Sequence, residues 1–362
     1  MKFAVVSDGC GVQRDNVARA LVQTFLAHGD ELSSADNGIT FALNLISEDN
    51  PRHFRRKSQS VFIFSLIQDE QIDSELKSRC YTALVKSLSN LLLCVVPGAH
   101  GGVPEIYFTT PEAGFYHVPF DPEEVYRRLS PIASAHFATE NVFSEDLPER
   151  LWSGSAVTLD LSRYGKELEM MGVLPVPFPL RDVLTEDALR QLYKIYGITG
   201  ASYGNLSARE HVPELGPCTF WMTGRGVNKA DLHVPGKDFL LVKGFDHARG
   251  SALIAQPPGA DERARVSVDA VEHELIYRTY PEVGAIVHAH AWIPGVPCTR
   301  QNYPCGTREL AAEVATLLST VNDPGRAVVG LKNHGLTITG HSLEDIFSRV
   351  RGKLLPEVAM FD

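Results

Sequence analysis

Short apolar runs alternate with amphipathic stretches along the first part of this chain. The apolar runs have the length of strands, and the stretches between them have the apolar spacing of helices: residues 2–7, 41–46, 60–67 and 92–96 for the strands, 15–28 and 73–92 for the helices. Strands that alternate with helices predict an α/β sheet of parallel strands. We therefore predict a Rossmann-like α/β domain over residues 1–150.

Length and charge narrow the class of protein. A chain of 362 residues can form two domains, and its net charge of −10 argues against nucleic-acid binding. No run approaches the roughly 20 apolar residues of a membrane span. The six cysteines are scattered without a C-x-x-C pair, which indicates free thiols in a reducing compartment. We expect a cytoplasmic protein that binds neither nucleic acid nor a membrane.

The turn after the first strand has part of a dinucleotide-binding pattern. Gly9 and Gly11 are present, but Arg14 stands where the third glycine is expected. A tight turn is the favoured interpretation. The basic cluster at 52–57 is interpreted as a solvated loop face, with an anion site as the alternative. No function for this domain follows from its sequence.

The chain between the two predicted domains is rich in breaks. Prolines at 175, 177 and 179 make this stretch stiff and extended. We predict a linker region over residues 151–184. A helix at 185–196, ended by Gly197, then begins a second domain over residues 185–362.

A short apolar strand at 285–291 carries two histidines two positions apart. Side chains alternate between the faces of a strand, so His288 and His290 are expected to present their imidazoles side by side. Two imidazoles at that spacing can clamp a divalent metal ion. The alternative is a pair of hydrogen-bonded histidines at a strand end with no ligand.

Further motifs surround this dyad in a defined order. They are Gly204-Asn205-Leu206-Ser207-x-Arg209, Thr223-Gly224-x-Gly226, a helix with His273 and Tyr277, His288-x-His290, Gly306-Thr307-Arg308-Glu309-Leu310-Ala311, and Asn333-His334-Gly335-Leu336. In their order and spacing, residues 185–348 resemble the class II aldolase/adducin family. The resemblance implies a three-layer αβα domain and a small-molecule substrate. It also implies a homo-oligomer, a tetramer in common members.

The resemblance further implies a divalent ion held by three imidazoles, those of His288, His290 and His334. Zn²⁺ is the expected ion, with Mn²⁺, Co²⁺ and Fe²⁺ as alternatives. Three neutral nitrogens hold such an ion and leave coordination positions for a substrate. His273 and His341 compete for the third place and are interpreted as structural or exposed.

The acid–base residue implied by the resemblance is Asp269. Aldolases of the family usually carry Glu there, and Asp resembles the branch of the ribulose-phosphate 4-epimerases. The first turn of a helix favours an ionised carboxylate, which can act as a base if it faces the metal. The alternative is a helix-terminal acid with no catalytic task. Glu272, one turn on, is a rival that we interpret as solvated.

The substrate-binding residues implied by the resemblance belong to the glycine-rich turns and the stretch before Asp269. They are Gly204, Asn205, Thr223, Arg225, Gly226 and Ser267. Val268 replaces a second serine of the pattern, and Arg225 replaces a small hydroxyl residue. An arginine can bind phosphate or carboxylate with two hydrogen bonds, so a charged substrate remains compatible with the pattern.

The segment between His290 and Gly306 is shorter than in the aldolases and epimerases, where it brings a proton donor to the site. Tyr303 is the predicted catalytic substitute, with a packing tyrosine as the alternative. Cys305 has no paired base in the sequence pattern and is interpreted as a buried thiol.

Together these features predict a metal-dependent lyase or epimerase. The expected reaction is a retro-aldol (enediolate) step on a small hydroxy-carbonyl or sugar-phosphate-like substrate. A decarboxylase or dehydratase of the same family is one alternative. A non-catalytic, adducin-like binding module is the other.

Overall fold

The computed structural model describes residues 1–7, 11–35, 38–47, 51–54, 61–98, 102–112, 114–173, 185–187, 189–190, 204–260 and 264–361. The chain divides into two compact units. Among the described residues, Met1–Ala135 make up most of the first unit, and 136–173 with 204–359 make up the second. No helix in these ranges combines the length and the apolar character needed to cross a membrane.

The first unit is a seven-stranded sheet with helices. Its strands are β1 (Lys2–Ser7), β2 (Glu31–Leu32), β3 (Phe41–Leu45), β4 (Phe62–Gln68), β5 (Leu91–Val96), β6 (Glu105–Thr109) and β7 (Phe115–Pro119), and its helices are α1 (Val12–Ala27), α2 (Leu76–Ser87) and α3 (Pro122–Ala133). The strand order is β2-β1-β3-β4-β5-β6-β7. The first five strands are parallel, and β6 and β7 extend the sheet antiparallel. The predicted α/β class is confirmed for this unit.

The incomplete glycine pattern of the first unit is explained in part. Arg14, at the place of the missing third glycine, is buried, and its guanidinium donates a 2.8 Å hydrogen bond to the carbonyl of Ile46. A large side chain therefore fills this place, which supports the tight-turn interpretation. Gly9 lies outside the described residues, as does most of the basic cluster at 52–57.

The second unit is an eight-stranded sheet covered by four described helices. Its strands are β8 (Glu140–Ser144), β9 (Asn205–Arg209), β10 (Phe220–Thr223), β11 (Phe239–Asp246), β12 (Ser251–Ala255), β13 (Ala285–Ala289), β14 (Val328–Leu331) and β15 (Gly335–Gly340), and its helices are α4 (Ala156–Met170), α5 (Ala270–Thr279), α6 (Arg308–Leu318) and α7 (Leu343–Val350). The order is β14-β15-β13-β9-β10-β11-β12-β8. Neighbours are antiparallel except β12 and β8.

Alternation along β13 separates the two apolar layers of this unit. Val287 points into a cluster that it shares with Tyr164 of α4 and Phe347 of α7. Its neighbour Ile286 points into a second cluster that contains Ile276 of α5 and Val314 of α6. Because successive strand residues face opposite sides, the two helix pairs cover opposite faces of the sheet. The predicted three-layer αβα architecture is confirmed.

The structure corrects the predicted boundaries at 150 and 184. Strand β8 pairs with β12 at the edge of the second sheet, so residues 136–150 belong to the second unit. The predicted linker is wrong for residues 151–173, because α4 packs its buried side on that sheet. Ser155 caps the helix by accepting a hydrogen bond from the backbone of Val157, a start signal that the interpretation as broken elements overlooked. The described residues at 185–187 and 189–190 belong to the first unit, so the second domain does not begin at 185. Residues 174–184 lie outside the described residues, as does most of the helix predicted at 185–196.

Candidate metal centre

The two histidines of β13 lie in the middle of the second sheet. His288 is in register with Asn205 of β9 on one side and Thr337 of β15 on the other. His290 follows the last residue of the strand, and its ring centroid is 5.1 Å from that of His288. Both side chains are buried. The strand therefore presents two adjacent imidazoles on the face that α5 and α6 cover.

His334 joins the pair from the turn between β14 and β15. Its ring centroid lies 4.9 Å from each of the other two rings. Asn333 before it has a φ of 56°, in the left-handed region that Asn tolerates better than most residues. Gly335 after it passes so close to β13 that a Cβ there would lie 2.3 Å from the carbonyl oxygen of Ala289. The tight turn holds His334 against the dyad.

The three imidazoles fit a divalent ion. Their ligand nitrogens all lie within 4.8 Å of one another. Nδ1 of His288 is 3.0 Å from the carbonyl of Leu336 and must donate its hydrogen there, which leaves Nε2 as an acceptor. Within the part of the chain that the structure describes, this buried Nε2 has no hydrogen-bond partner. An ion at the centre of the triad would satisfy it.

Burial keeps these imidazoles neutral. It lowers the pKa of His288, lowers that of His290 well below the usual value, and lowers the pKa of His334 to about 3. Neutral imidazole is the form that binds a metal ion. The triad therefore needs no proton release before it can act as a ligand set at neutral pH.

Asp269 is the N-cap residue of α5, but its side chain does not cap the helix. It is buried, and Oδ2 accepts a 2.6 Å hydrogen bond from Nδ2 of Asn205. Burial raises the pKa of Asp269, but attraction to the rings of His288, His273 and His334 when they are protonated in acid, together with a hydrogen bond from Cys305, outweighs it and holds the pKa below its usual range. An ionised carboxylate therefore lies beside the triad.

The interpretation of Glu272 as a solvated side chain is wrong. Glu272 is buried, with 3% of the residue exposed, and Oε1 accepts a 2.6 Å hydrogen bond from the Thr337 hydroxyl. Burial, followed by the negative charge of Asp269, raises the pKa of Glu272 to about 8. Glu272 follows Asp269 by three residues, about one helical turn, so both side chains lie on the side of α5 that covers the sheet. Two neighbouring carboxyl groups with divergent pKa values are an arrangement found in acid–base sites.

His273 does not join the triad. It is fully buried, and Nδ1 lies 2.7 Å from the hydroxyl oxygen of Ser207, which is 2.8 Å from the hydroxyl of Tyr277. Burial lowers the pKa of His273 to about 3. These three residues of the family pattern form a buried polar set between α5 and β9, in agreement with the structural interpretation of His273.

The glycine-rich turns meet the stretch before Asp269. The Thr223 hydroxyl accepts a 3.3 Å hydrogen bond from the backbone N–H of Leu206, and the Thr223 carbonyl accepts one of 3.3 Å from the N–H of Ser267. Gly204 and Gly226 have φ values of 75° and 66°, which glycine adopts without strain. Segments far apart in sequence thus form one polar edge near the triad, and their role with a substrate stays a prediction.

Arg225 contacts the protein itself. Its guanidinium donates a 3.0 Å hydrogen bond to the carbonyl of Thr139, just before β8. Its backbone N–H donates to the carbonyl of Arg265 at 2.7 Å. The side chain therefore ties the second glycine-rich turn to the edge strand. Anion binding by Arg225 stays a prediction.

Tyr303 packs among apolar side chains. It is half-buried against the cluster beneath α5 and α6. Burial raises its pKa, with smaller contributions from Glu313 and Glu309 of α6. These surroundings are those of the packing tyrosine that the sequence left as an alternative. Its role as a proton donor stays a prediction.

Cys305 is a site residue that the sequence analysis missed. Its Sγ lies 3.2 Å from Nε2 of His334, and the thiol is hydrogen-bonded to Asp269. The ligand atoms of Asp269, His288 and Cys305 lie within 4.8 Å of one another. The interpretation as a buried thiol with no paired base is therefore wrong, because Cys305 is half-buried and the imidazole of His334 lies beside it. The available signal was its position directly before Gly306, where a family motif begins.

Lys229 is a second residue without a sequence signal. It is 2% exposed, and burial lowers its pKa to about 8 although the charges of Glu169 and Asp269 oppose the shift. Its ammonium donates a 3.4 Å hydrogen bond to the carbonyl of Val227. The buried ammonium group of Lys229 therefore lies under the second glycine-rich turn, within electrostatic range of Asp269.

Comparisons with known proteins agree with this domain. Residues 186–293 match the family described as the Class II Aldolase and Adducin N-terminal domain. The recognition from sequence is thereby confirmed for this stretch, which contains Asp269, His288 and His290 but neither Cys305 nor His334. No curated protein matches the chain.

Several solved structures are similar to part of the chain. An L-fuculose 1-phosphate aldolase is 19% identical over 55% of this chain and 82% of its own, with a TM-score of 0.36. An aldolase II superfamily protein from Pseudomonas syringae is 17% identical over 56% of this chain and 73% of its own, with a TM-score of 0.35. YgbL from Klebsiella pneumoniae is 18% identical over 54% of this chain and 83% of its own, with a TM-score of 0.33.

Proposed function

We propose that this protein is a metal-dependent lyase or epimerase that acts on a small hydroxy-carbonyl or sugar-phosphate-like substrate through a retro-aldol (enediolate) step. The observation that carries the proposal is the arrangement of three buried, neutral imidazoles beside an ionised carboxylate. A family match over residues 186–293 supports the same class of chemistry.

His288, His290 and His334 would hold the ion, and we propose Zn²⁺. When bound, a divalent ion supplies a Lewis acid that polarises a carbonyl group and favours the loss of a neighbouring proton. The backbone carbonyl of Leu336 orients His288 for this task by taking the Nδ1 hydrogen.

Asp269 is the proposed base. Its carboxylate is ionised, buried and held at one oxygen by Asn205, so it can accept a proton from a substrate hydroxyl or C–H group beside the triad. Glu272 stays protonated up to about pH 8, so it adds no second negative charge that would repel an anionic substrate. The polar edge of Gly204, Thr223, Gly226 and Ser267 is the proposed place for the anionic end of the substrate.

Metal content tests the proposal first. The purified protein should hold one divalent ion per chain, and His288→Ala should lose both the ion and the activity. His233→Ala is the matched control, because His233 is an exposed histidine of the same unit that pairs with Asp231. A wild-type protein without stoichiometric metal, or a His288→Ala variant as active as the control, would refute the proposal.

Product analysis tests the reaction. The metal-loaded enzyme is incubated with hydroxy-acids, ketoses and sugar phosphates, and the products are followed by mass spectrometry and NMR. A released aldehyde identifies a lyase, and an inverted carbinol carbon identifies an epimerase. Release of CO₂ or water without carbon–carbon cleavage would replace the proposal with the decarboxylase or dehydratase. Ligand binding without stoichiometric metal and without any turnover would favour the adducin-like binding module.

The assembly is proposed from the family resemblance alone. We expect a homo-oligomer, a tetramer by analogy. Light scattering that gives a mass near the 39.8 kDa of one chain would refute it.

A further inference from the structure

We infer that Cys305 is a fourth ligand of the ion at the histidine triad, so that the resting site is a set of three imidazoles and one thiolate. The inference rests on the proposed metal site and goes beyond it. It assigns a ligand from the segment after His290, which is shorter here than the family pattern. It also changes the class of ion that the site selects.

Distances support this assignment. Zinc lies about 2.3 Å from a thiolate sulfur and about 2.0 Å from an imidazole nitrogen, so a sulfur and a nitrogen on one tetrahedral ion are about 3.5 Å apart. Sγ of Cys305 lies 3.2 Å from Nε2 of His334. A shift of a few tenths of an ångström would bring both atoms to ligand distance. The ligand atoms of His288 and Cys305 also lie within 4.8 Å of each other, in a group that includes Asp269 and not His290.

The contact between Cys305 and His334 joins two groups that both bind metal ions. Sγ and Nε2 lie at hydrogen-bond distance, 3.2 Å, in the metal-free chain. A cation bound by both atoms would take the place of the hydrogen that they share.

The backbone around Cys305 is built to hold it there. Gly306 has a φ of 76°, and a Cβ at this residue would lie 2.5 Å from Cγ2 of Thr139 and 3.1 Å from the carbonyl oxygen of Val268. Only glycine lets the turn pass this close to the residue before Asp269. The next residue, Thr307, is fully buried and donates a 2.8 Å hydrogen bond to the carbonyl of Pro304. Cys305 is therefore fixed from both sides.

A thiolate ligand has two consequences. Soft sulfur selects zinc, cobalt or iron over magnesium or calcium, which prefer oxygen ligands. It also fills the fourth position of a tetrahedral site, so that Asp269 remains a base and is not drawn into the ligand set. A substrate would then bind by expanding the coordination or by displacing the sulfur.

Cobalt substitution tests the assignment directly. The metal-free full-length chain is loaded with Co²⁺, and its absorption spectrum is recorded. We expect visible d–d bands together with a thiolate-to-cobalt charge-transfer band in the near ultraviolet. Cys305→Ser should lose the charge-transfer band and keep visible bands. Cys298→Ser is the matched control, since Cys298 is another half-buried cysteine of the same unit, and it should keep both.

The outcomes separate this inference from the proposed function. Visible bands without charge transfer in the wild type, or a charge-transfer band that persists in Cys305→Ser, overturn the thiolate ligand and leave the histidine site intact. A wild type that binds no Co²⁺ overturns both proposals.

Alkylation of the wild type supplies a second measurement that does not depend on the folding of a variant. Iodoacetamide labelling is followed by mass spectrometry with and without Zn²⁺. Zinc should protect Cys305 at least about tenfold and leave Cys298 unchanged. Equal labelling of Cys305 in both conditions contradicts the inference.

Discussion

Asn205 donates a 2.6 Å hydrogen bond to Asp269, and it does so from the residue directly across from His288 in the sheet. On the other side of His288, Thr337 donates a hydrogen bond of the same length to Glu272. Three residues in register on β9, β13 and β15 therefore place the imidazole of His288 in the centre, and the outer two each hold a carboxyl group by a hydrogen bond. The register of the sheet fixes the distance between the proposed ligand and the proposed base.

Removal of the Asn205 amide should reduce catalysis by Asp269 more than it reduces binding of the metal ion. Asn205→Ala deletes the bond that orients Asp269, so we expect kcat to fall about 10- to 100-fold, with metal content unchanged. Steady-state kinetics and metal analysis measure the two effects. Asn228→Ala, at an exposed position of the same unit, is the control. If the variant loses the metal ion together with activity, Asn205 instead positions the three histidines of the triad.

The charge of Asp269 should be required for turnover. Asp269→Asn keeps the size of the side chain but removes the base, and we expect kcat to fall at least about 100-fold while the ion stays bound. Asp269→Glu restores a carboxylate and should recover part of the activity. Single-turnover rates and metal content are the measurements. Wild-type activity in Asp269→Asn would exclude the residue as the base.

Glu272 should make the stability of the metal-free protein fall with increasing pH. Burial raises its pKa to about 8 in the folded state, whereas it is near 4.5 when exposed. Between these values the folded chain holds a proton that the unfolded chain has lost. The free energy of unfolding should therefore decrease by up to about 1.4 kcal/mol per pH unit, and the decrease should end above pH 8.

Urea unfolding between pH 5 and pH 8.5 measures this dependence. Glu272→Gln is neutral in both states and should remove this part of the slope. Glu282→Gln, at an exposed position, should keep it. Identical slopes for the wild type and Glu272→Gln would show that the buried carboxyl is ionised after all.

Gly306→Ala should disturb the turn that carries Cys305. The new Cβ would lie 2.5 Å from Thr139 at a φ of 76°, so we expect backbone strain plus a steric clash, together about 2–4 kcal/mol. Gly295→Ala separates the two effects, because Gly295 has a φ of 82° and nothing lies within 4 Å of its added Cβ. It should lose only about 1 kcal/mol.

Thermal or urea unfolding compares the two glycine variants, and the charge-transfer band of the cobalt-loaded protein reports the position of Cys305. The band should weaken in Gly306→Ala and persist in Gly295→Ala. Equal losses of stability in the two variants would mean that the close packing against Thr139 has no energetic weight.

Local periodicity was sufficient for much of the architecture. Apolar runs and helical spacing located β1, β3, β4, β5 and β13 and the helices α1 and α2. The start of α4 at Ser155 was missed although the cap was present, because a proline-rich stretch nearby suggested broken structure. The predicted linker failed for that reason.

The amino-acid sequence by itself determined the strand that presents His288 and His290 on one face, since side-chain alternation is a local property of a strand. With the motif order it also indicated His334 and Asp269. Only the tertiary structure decided that Glu272 is buried, that Arg225 contacts Thr139, and that Cys305 meets His334. These contacts depend on the register of the sheet and on the close approach of the chain at Gly306, which bring together segments distant in sequence. Such contacts produce no periodic pattern in any one segment, so the sequence alone does not reveal them.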